Sequence, residues 1–296
     1  MQLFAYLLLY PLFWFLSVLP FRVLYFLSDV VSFIAYYCIG YRKKTIRYNL
    51  AIALPHLNKK ERLKIEKKAY KHMIDIFFEM IKTMTISDKQ IEKRFVIKNI
   101  ELLNDLESEG KSIVAFAAHY ASYEWLVVMH KYTIFEAVGI YKRIRNPYFD
   151  KLVRRIRSKF NASLVDTKEA VNLMLRNKRD KKLCLYGFAG DQTPKKEKAH
   201  HWLDFMGINV PVHTGAEMLS KKLDFTSLYI NVEKVKRGHY EATFLPMTKN
   251  AKAIPNYELT DEYIKLVEAQ IYAKPEYYLW SHKRWKHAEN LPNINL

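Results

Sequence analysis

Between Met1 and Gly40 the chain carries only two charged side chains, Arg22 and Asp29. A stretch that apolar must end in lipid or in an unusually large core. Leu3–Phe21 is broken only by Pro11, Ser17 and Pro20, and as a helix it would reach about 28 Å, close to a bilayer's hydrocarbon thickness. A second apolar run, Val23–Tyr41, follows almost without a turn, and Arg22 alone cannot make the loop of a transmembrane hairpin. One membrane-inserted or monotopic helix is therefore expected, followed by a second helix at the interface or packed against the body. A cleaved signal peptide fits poorly, because no Lys or Arg precedes the apolar run and no small-x-small site ends it. Arg42, Lys43, Lys44 and Arg47 flank the run on its carboxyl side, which predicts a cytoplasmic body. The alternative is a core helix pair of a soluble protein.

The net charge of +18, from 48 basic and 30 acidic residues, is carried by the portion after residue 40. A surface that basic seeks anions. Beside an anchor, the first candidate is an anionic membrane surface, where each Lys or Arg adds up to about 1 kcal/mol of attraction. No zinc-finger, homeodomain, helix-turn-helix or RNA-recognition signature accompanies the charge, so nucleic acid is not expected as a partner. Cys38 and Cys184 lie far apart with no CxxC motif, so neither a disulfide scaffold nor a structural zinc is expected. No other ligand spacing predicts a metal.

After the anchor, residues 1–41, a single domain over 42–296 is expected, since no linker or repeat divides it. Asn58-x-x-Glu61 has capping-box form and opens a long amphipathic helix; Ser87-x-x-Gln90 opens a short one. From there strands and helices alternate. The spacing predicts a helix over Ile100–Glu109, a buried strand over Lys111–Ala118, a helix over Ser122–Lys131 and a strand over Phe135–Tyr141. Next come a helix over Asn146–Phe160, strand Ser163–Asp166, helix Lys168–Lys178 and strand Lys182–Phe188. A long loop, Gly190–His201, precedes helix Gly215–Lys222. A hairpin pairs Thr226–Val235 with Tyr240–Pro246, and a last helix runs over Glu258–Ala273. The fold class is α/β: a mainly parallel sheet flanked by helices, with an N-terminal hydrophobic membrane-anchoring helical segment.

At the carboxyl end of the first buried strand stands Ala118-His119-Tyr120-Ala121-Ser122-Tyr123-Glu124. Ligands of open α/β sheets bind at that edge. A Glu five positions after a His can turn back on one imidazole nitrogen and leave the other facing a cleft. That arrangement fixes the tautomer and favours the imidazolium that forms as the ring accepts a proton. It is the base-and-orienter half of a triad without its own nucleophile, a role left for a substrate hydroxyl.

The string resembles the His-x4-Asp/Glu motif of the lysophospholipid-acyltransferase-like proteins, and within them the late (secondary) lipid A acyltransferases, usually His-Phe-Gly-Asn-Trp-Glu. Further stretches resemble that family in order: Arg42–Leu50 with Leu54-Pro55, Tyr141–Asp150 running to Arg157, Gly190–Pro194, Phe205–Gly207, Pro211–Gly215 and Pro275–Lys286. The last, Pro-Glu-Tyr-Tyr-Leu-Trp-Ser-His-Lys-Arg-Trp-Lys, is the most specific.

The resemblance implies a membrane-associated O-acyltransferase on the cytoplasmic face of a bacterial inner membrane. It would move a fatty acyl chain from an acyl carrier protein thioester, or acyl-CoA as co-substrate, to a hydroxyl of a lipid A precursor, without a cofactor. His119 is the expected general base and Glu124 its orienter. Arg157 first and Arg143 second are expected to grip acceptor phosphate, for which a planar guanidinium suits. Asp191, just past a buried strand, is expected to position an Arg or the acceptor. Thr214 and Gly215 open a helix whose free N–H groups could receive phosphate or the oxyanion, or simply cap it. The Tyr277–Lys286 tail suits the headgroup level, with docking of Trp280 in the core compatible. Lys195, Lys196 and Lys198 form a basic loop for an acidic carrier protein. The same chemistry on a lysophospholipid, aminolipid or glycolipid, or a non-catalytic basic module tethered to the membrane, are the alternatives.

Overall fold

The computed structural model describes residues 2–289 and 291. Helices α1 (Gln2–Val18) and α2 (Phe21–Phe33) come first, and a π-helical turn, Ile34–Ile39, continues α2. Gly40 ends it with φ 68°. The first apolar run is thus shorter than expected. The second, continuous over Phe21–Ile39, is the one helix among the described residues long and apolar enough to cross a membrane by length and composition. Neither helix stands apart from the body. The Lys82 ammonium donates to the carbonyls of Ser17 (2.7 Å) and Leu19 (2.8 Å), which satisfies the otherwise unpaired C-terminus of α1.

Helix α3 (Lys43–Ala53) leads to α4 (Lys59–Lys82), and α5 (Asp88–Glu92) follows. Both predicted capping boxes form; Glu61 N–H donates to Asn58 Oδ1 at 3.0 Å and Asn58 N–H to Glu61 Oε2 at 2.8 Å. On α2, Leu24, Ser28 and Ser32 make the buried seam against α4. Ser28 donates to Asp75 there at 2.7 Å.

The remaining elements are β1 (Phe95–Ile97), α6 (Glu101–Glu107), β2 (Ile113–Ala117), β3 (Glu136–Tyr141), α7 (Pro147–Arg157), β4 (Ser163–Asp166), α8 (Ala170–Arg179) and β5 (Cys184–Ala189). After these come the hairpin β6 (His201–Phe205) and β7 (Ile208–Val212), α9 (Gly215–Leu223), β8 (Thr226–Lys236), β9 (His239–Thr248) and α10 (Glu258–Ala273). The main sheet has the order β1-β9-β8-β2-β5-β3-β4. Every neighbouring pair is parallel except β8 and β9. The α/β class with a mainly parallel sheet and an apolar N-terminal helical segment is therefore as expected. The central strand β2, Ile-Val-Ala-Phe-Ala, is buried throughout, as a strand covered on both faces must be.

Three elements differ from expectation. Ser122–Lys131 is not an α-helix; Tyr123–Tyr132 winds as 3₁₀ turns. Strand β1 is only three residues long, too short for a period to show. The β6–β7 hairpin, past the Gly190–His201 loop, pairs residues 201–205 with 208–212 around Gly207 at φ 76°.

The β8–β9 turn anchors the N-terminal helices. Gly238 holds φ 70°, and a Cβ there would meet the Tyr25 hydroxyl at 1.9 Å, so only glycine fits. Beside it Arg237 donates to both oxygens of Asp29 on α2 (2.9 and 2.7 Å) and of Asp75 on α4 (2.9 and 2.6 Å).

Candidate active site

In the parallel pairing of β2 with β5, Ala117 lies opposite Ala189. His119 and Asp191 each stand two residues beyond, so the register delivers them side by side. The Asp191 carboxylate accepts the His119 ring Nδ1–H at 2.6 Å through Oδ1 and the His119 backbone N–H at 3.0 Å through Oδ2. Tyr263 ties the two strand ends together: its hydroxyl donates to the Ala117 carbonyl (2.8 Å) and accepts Gly190 N–H (3.1 Å).

Asp191 is fully buried, while the His119 side chain keeps 22% of its surface exposed. Burial is the largest influence on each group and opposes its charge. The attraction between them outweighs it, raising the imidazole above its ordinary value and lowering the Asp191 carboxyl. With Nδ1 donating to Asp191, Nε2 holds the lone pair of the neutral ring. The Gln192 amide nitrogen lies 3.3 Å from it, and the Tyr123 ring packs edge-on at 5.1 Å. A cavity opens beside His119, lined also by Ile46, Met73, Ile76, Tyr278 and Leu279.

Glu124 does not orient this histidine. Its carboxylate accepts two hydrogen bonds from Arg157, Nε at 2.8 Å and Nη2 at 2.7 Å, with its side chain only 8% exposed. The expectation that Glu124 turns back on His119 is corrected here: the planar guanidinium takes both its oxygens. Asp191, expected to position an arginine or the acceptor, holds the imidazole instead. Arg157 keeps its Nη1 free of that pair and lines an apolar cleft of about 420 Å³. Phe13, Phe77, Met80, Phe149 and Val153 are among the apolar side chains of its wall.

Arg143 does not join this group. It lies on an exposed loop, 3.8 Å from Glu169, and its backbone N–H donates to Asp166. Thr214 caps α9 without a side-chain hydrogen bond, and neither it nor Gly215 bonds His119 or Asp191. Among the described residues no group of three or more His, Cys, Asp or Glu side chains is arranged to hold a metal ion.

The C-terminal string works as a strap across the site rather than as a headgroup-level tail. Leu279 N–H donates to the His119 carbonyl (3.1 Å) and Ala121 N–H to the Tyr277 carbonyl (3.0 Å). Trp280 and Trp285 stack in the core, and Arg284, in a tail whose cations suited the headgroup level, is buried over the Phe205 ring. Asn49 on α3 donates to the carbonyls of Trp280 and His282 (2.7 and 2.6 Å).

Comparison with known proteins agrees with the motifs. The family model of bacterial lipid A biosynthesis acyltransferases matches residues 2–287. The chain belongs to that family. It is an acyltransferase. A lipid A biosynthesis lauroyltransferase of Escherichia coli (strain K12) is 23% identical over 276 residues, covering 92% of this chain and 88% of the relative. A lipid A biosynthesis palmitoleoyltransferase of the same organism and a lipid A biosynthesis acyltransferase of Shigella flexneri are each 22% identical over 279 residues, with the same coverage. Gln192, next to Asp191 in the loop that resembles the family, is a site residue that sequence reasoning passed over. Its signal was its place three residues beyond the end of β5.

Proposed function

We propose that this acyltransferase moves a fatty acyl chain from an acyl carrier protein thioester to a hydroxyl of a lipid A precursor at the surface of a bacterial inner membrane. The observation that carries the reading is the 2.6 Å bond from His119 Nδ1 to buried Asp191, which leaves Nε2 basic beside an open cavity. In the reaction Nε2 takes the proton of the acceptor hydroxyl. The alkoxide attacks the thioester carbonyl, the tetrahedral oxyanion collapses, and the departing thiolate recovers the proton from the imidazolium. Asp191 holds the ring and stabilises its protonated form throughout. Glu124 holds Arg157 in place, and the free Arg157 Nη1 is offered to an anionic group of the substrate. The apolar cleft that Arg157 lines takes the acyl chain.

The membrane-facing side is supported by the exposed hydrocarbon of α1, with Phe4, Leu8 and Phe15 each more than half exposed. An acidic carrier protein suits the exposed turn Lys195–Lys198, which follows the Asp191–Pro194 loop directly. The test is transfer by purified enzyme in detergent, with acyl carrier protein and CoA donors against a panel of lipid acceptors, product masses being the readout. Acylation of the lipid A precursor that His119→Ala abolishes is the expected result. Transfer to a lysophospholipid alone, or wild-type turnover by the variant, refutes the reading.

A further inference from the structure

Helix α7 and the loop that leads into it carry an unusual surface. Over residues 142–155 the exposed cations are Lys142, Arg143, Arg145, Lys151, Arg154 and Arg155. The one acid in that stretch, Asp150, is buried and occupied in accepting the Tyr141 hydroxyl and the Ile144 N–H. Arg143 alone has a carboxylate near it, at 3.8 Å; among the described residues no acid lies within ion-pair range of Arg145, Lys151, Arg154 or Arg155. Surface cations of a soluble face are ordinarily interspersed with acids.

The stripe has a direction. Asn146 caps α7 through Tyr148 N–H, and Pro147 fixes its first turn. Tyr148, Lys151 and Arg155 then recur at helical spacing on the exposed side, while Leu152 and Ile156 are buried. At its start Tyr148 meets Tyr6 of α1 with rings 5.7 Å apart, and Phe149 packs on Phe13. The cationic stripe is therefore continuous with the exposed hydrocarbon face of α1, and Ile144 and Tyr148 stand exposed at the join (39% and 37%).

We propose that α7 lies in the phosphate layer of an anionic leaflet, as a second membrane contact beside α1 that turns the mouth of the apolar cleft toward the lipid. A hydrocarbon face passing through aromatic side chains into cations follows the profile of a bilayer from acyl chains to headgroups. An acidic protein would match the charges but not the apolar margin that borders them. The inference rests on the membrane association proposed above and not on the role given to His119.

The test uses the full chain in vesicles without acyl donor or lipid A-type acceptor. Ser158, exposed and next on the Tyr148–Arg155 stripe, takes a fluorescent label as Ser158→Cys in a Cys38→Ser background; Cys184 is buried. Energy transfer to headgroup-labelled lipid is then read in phosphatidylcholine alone and with added phosphatidylglycerol. The expected result is close approach only with phosphatidylglycerol, lost in high salt and in Lys151→Glu/Arg155→Glu. On about 1 kcal/mol for each cation, loss of the two cations alone weakens the contact about thirtyfold, and the two acids put in their place weaken it further. Vesicle-bound chain whose label ignores lipid charge overturns the inference, as does a label shielded only on adding an acidic soluble protein. Chain that floats free of every vesicle refutes the membrane association itself.

Discussion

The assignment of Asp191 as the group that holds His119 is tested by Asp191→Asn, for which the geometry dictates a specific defect. The carboxylate accepts twice from one residue, ring Nδ1–H at 2.6 Å and backbone N–H at 3.0 Å. An asparagine has one acceptor and one donor end. If its oxygen keeps the fixed backbone N–H, its NH2 faces Nδ1. The imidazole must then carry its proton on Nε2, the nitrogen that has to be bare to act as base. The wrong tautomer in an intact triad costs about 10⁴-fold, so a fall in turnover of about 10³–10⁴-fold is expected. The pH profile supplies an independent reading. In the wild type His119 titrates above its ordinary value of about 6.5 because Asp191 outweighs burial, and the rate rises with pH through that raised value as the ring becomes neutral. Without the carboxylate, burial is left as the largest influence and favours the neutral ring, so the acid limb moves to lower pH. Initial rates of transfer across pH, at saturating donor, measure both effects. Near-wild-type turnover in Asp191→Asn, or an unmoved limb, refutes the assignment.

Glu124→Gln is expected to behave differently. It leaves the partly buried Arg157 guanidinium half-paired, so transfer falls by about 10–100-fold through misplacement of Arg157, while the acid limb stays near its wild-type position in the same assay. Ala121 sits at φ 47° with its side chain fully buried, a conformation costly for any residue with a Cβ. Ala121→Gly is expected to stabilise the protein by about 1 kcal/mol, seen as a small rise in Tm in detergent with activity retained. Arg237→Ala removes the cation shared by Asp29 and buried Asp75; a loss of about 3–5 kcal/mol in denaturant unfolding, with α2 becoming protease-accessible, is the expected outcome. Phe149→Ala enlarges the cleft wall, and the product spectrum from mixed acyl donors is expected to move toward longer chains; an unchanged distribution shows that the acyl chain lies elsewhere.

What could be read from the chain and what could not follows from the range of the interactions. The capping boxes at Asn58 and Ser87, the Asn146-Pro147 helix start and the Arg237-Gly238 turn are settled within four residues, and each formed as expected. The buried strands announced themselves by unbroken apolar runs, and their alternation with helices fixed the parallel class. The partner of His119 did not announce itself. Glu124 is near in sequence, Asp191 is near only through the register of β2 on β5, and that register is a property of the folded sheet. Proximity along the chain therefore favoured the wrong carboxylate. The C-terminal string misled for a related reason: aromatics interleaved with cations suit a membrane boundary in composition, yet Arg284 is buried over an aromatic ring and Trp285 faces inward beside Trp280, whose docking in the core was compatible with either reading. Composition could not decide between them, because only long-range contacts do.

Those contacts also account for how the left-handed Ala121 is sustained. A residue in that conformation persists only where its surroundings over-determine it. Here the strap fixes Ala121 and the two residues before it, through Leu279 N–H to the His119 carbonyl and Ala121 N–H to the Tyr277 carbonyl, while Tyr120 donates from its hydroxyl to the Lys274 carbonyl at 2.9 Å. The strap is held in turn by Asn49, on the helix just beyond the apolar N-terminal segment, whose amide spans two strap carbonyls. The loop that carries His119 is thus tied through one asparagine to the foot of the N-terminal helices. An asparagine replaced there by alanine leaves two buried carbonyls without that donor. The defect is then expected at His119, 70 residues from Asn49 in sequence but joined to it in space by two hydrogen bonds, Asn49 to the Trp280 carbonyl and Leu279 N–H to the His119 carbonyl.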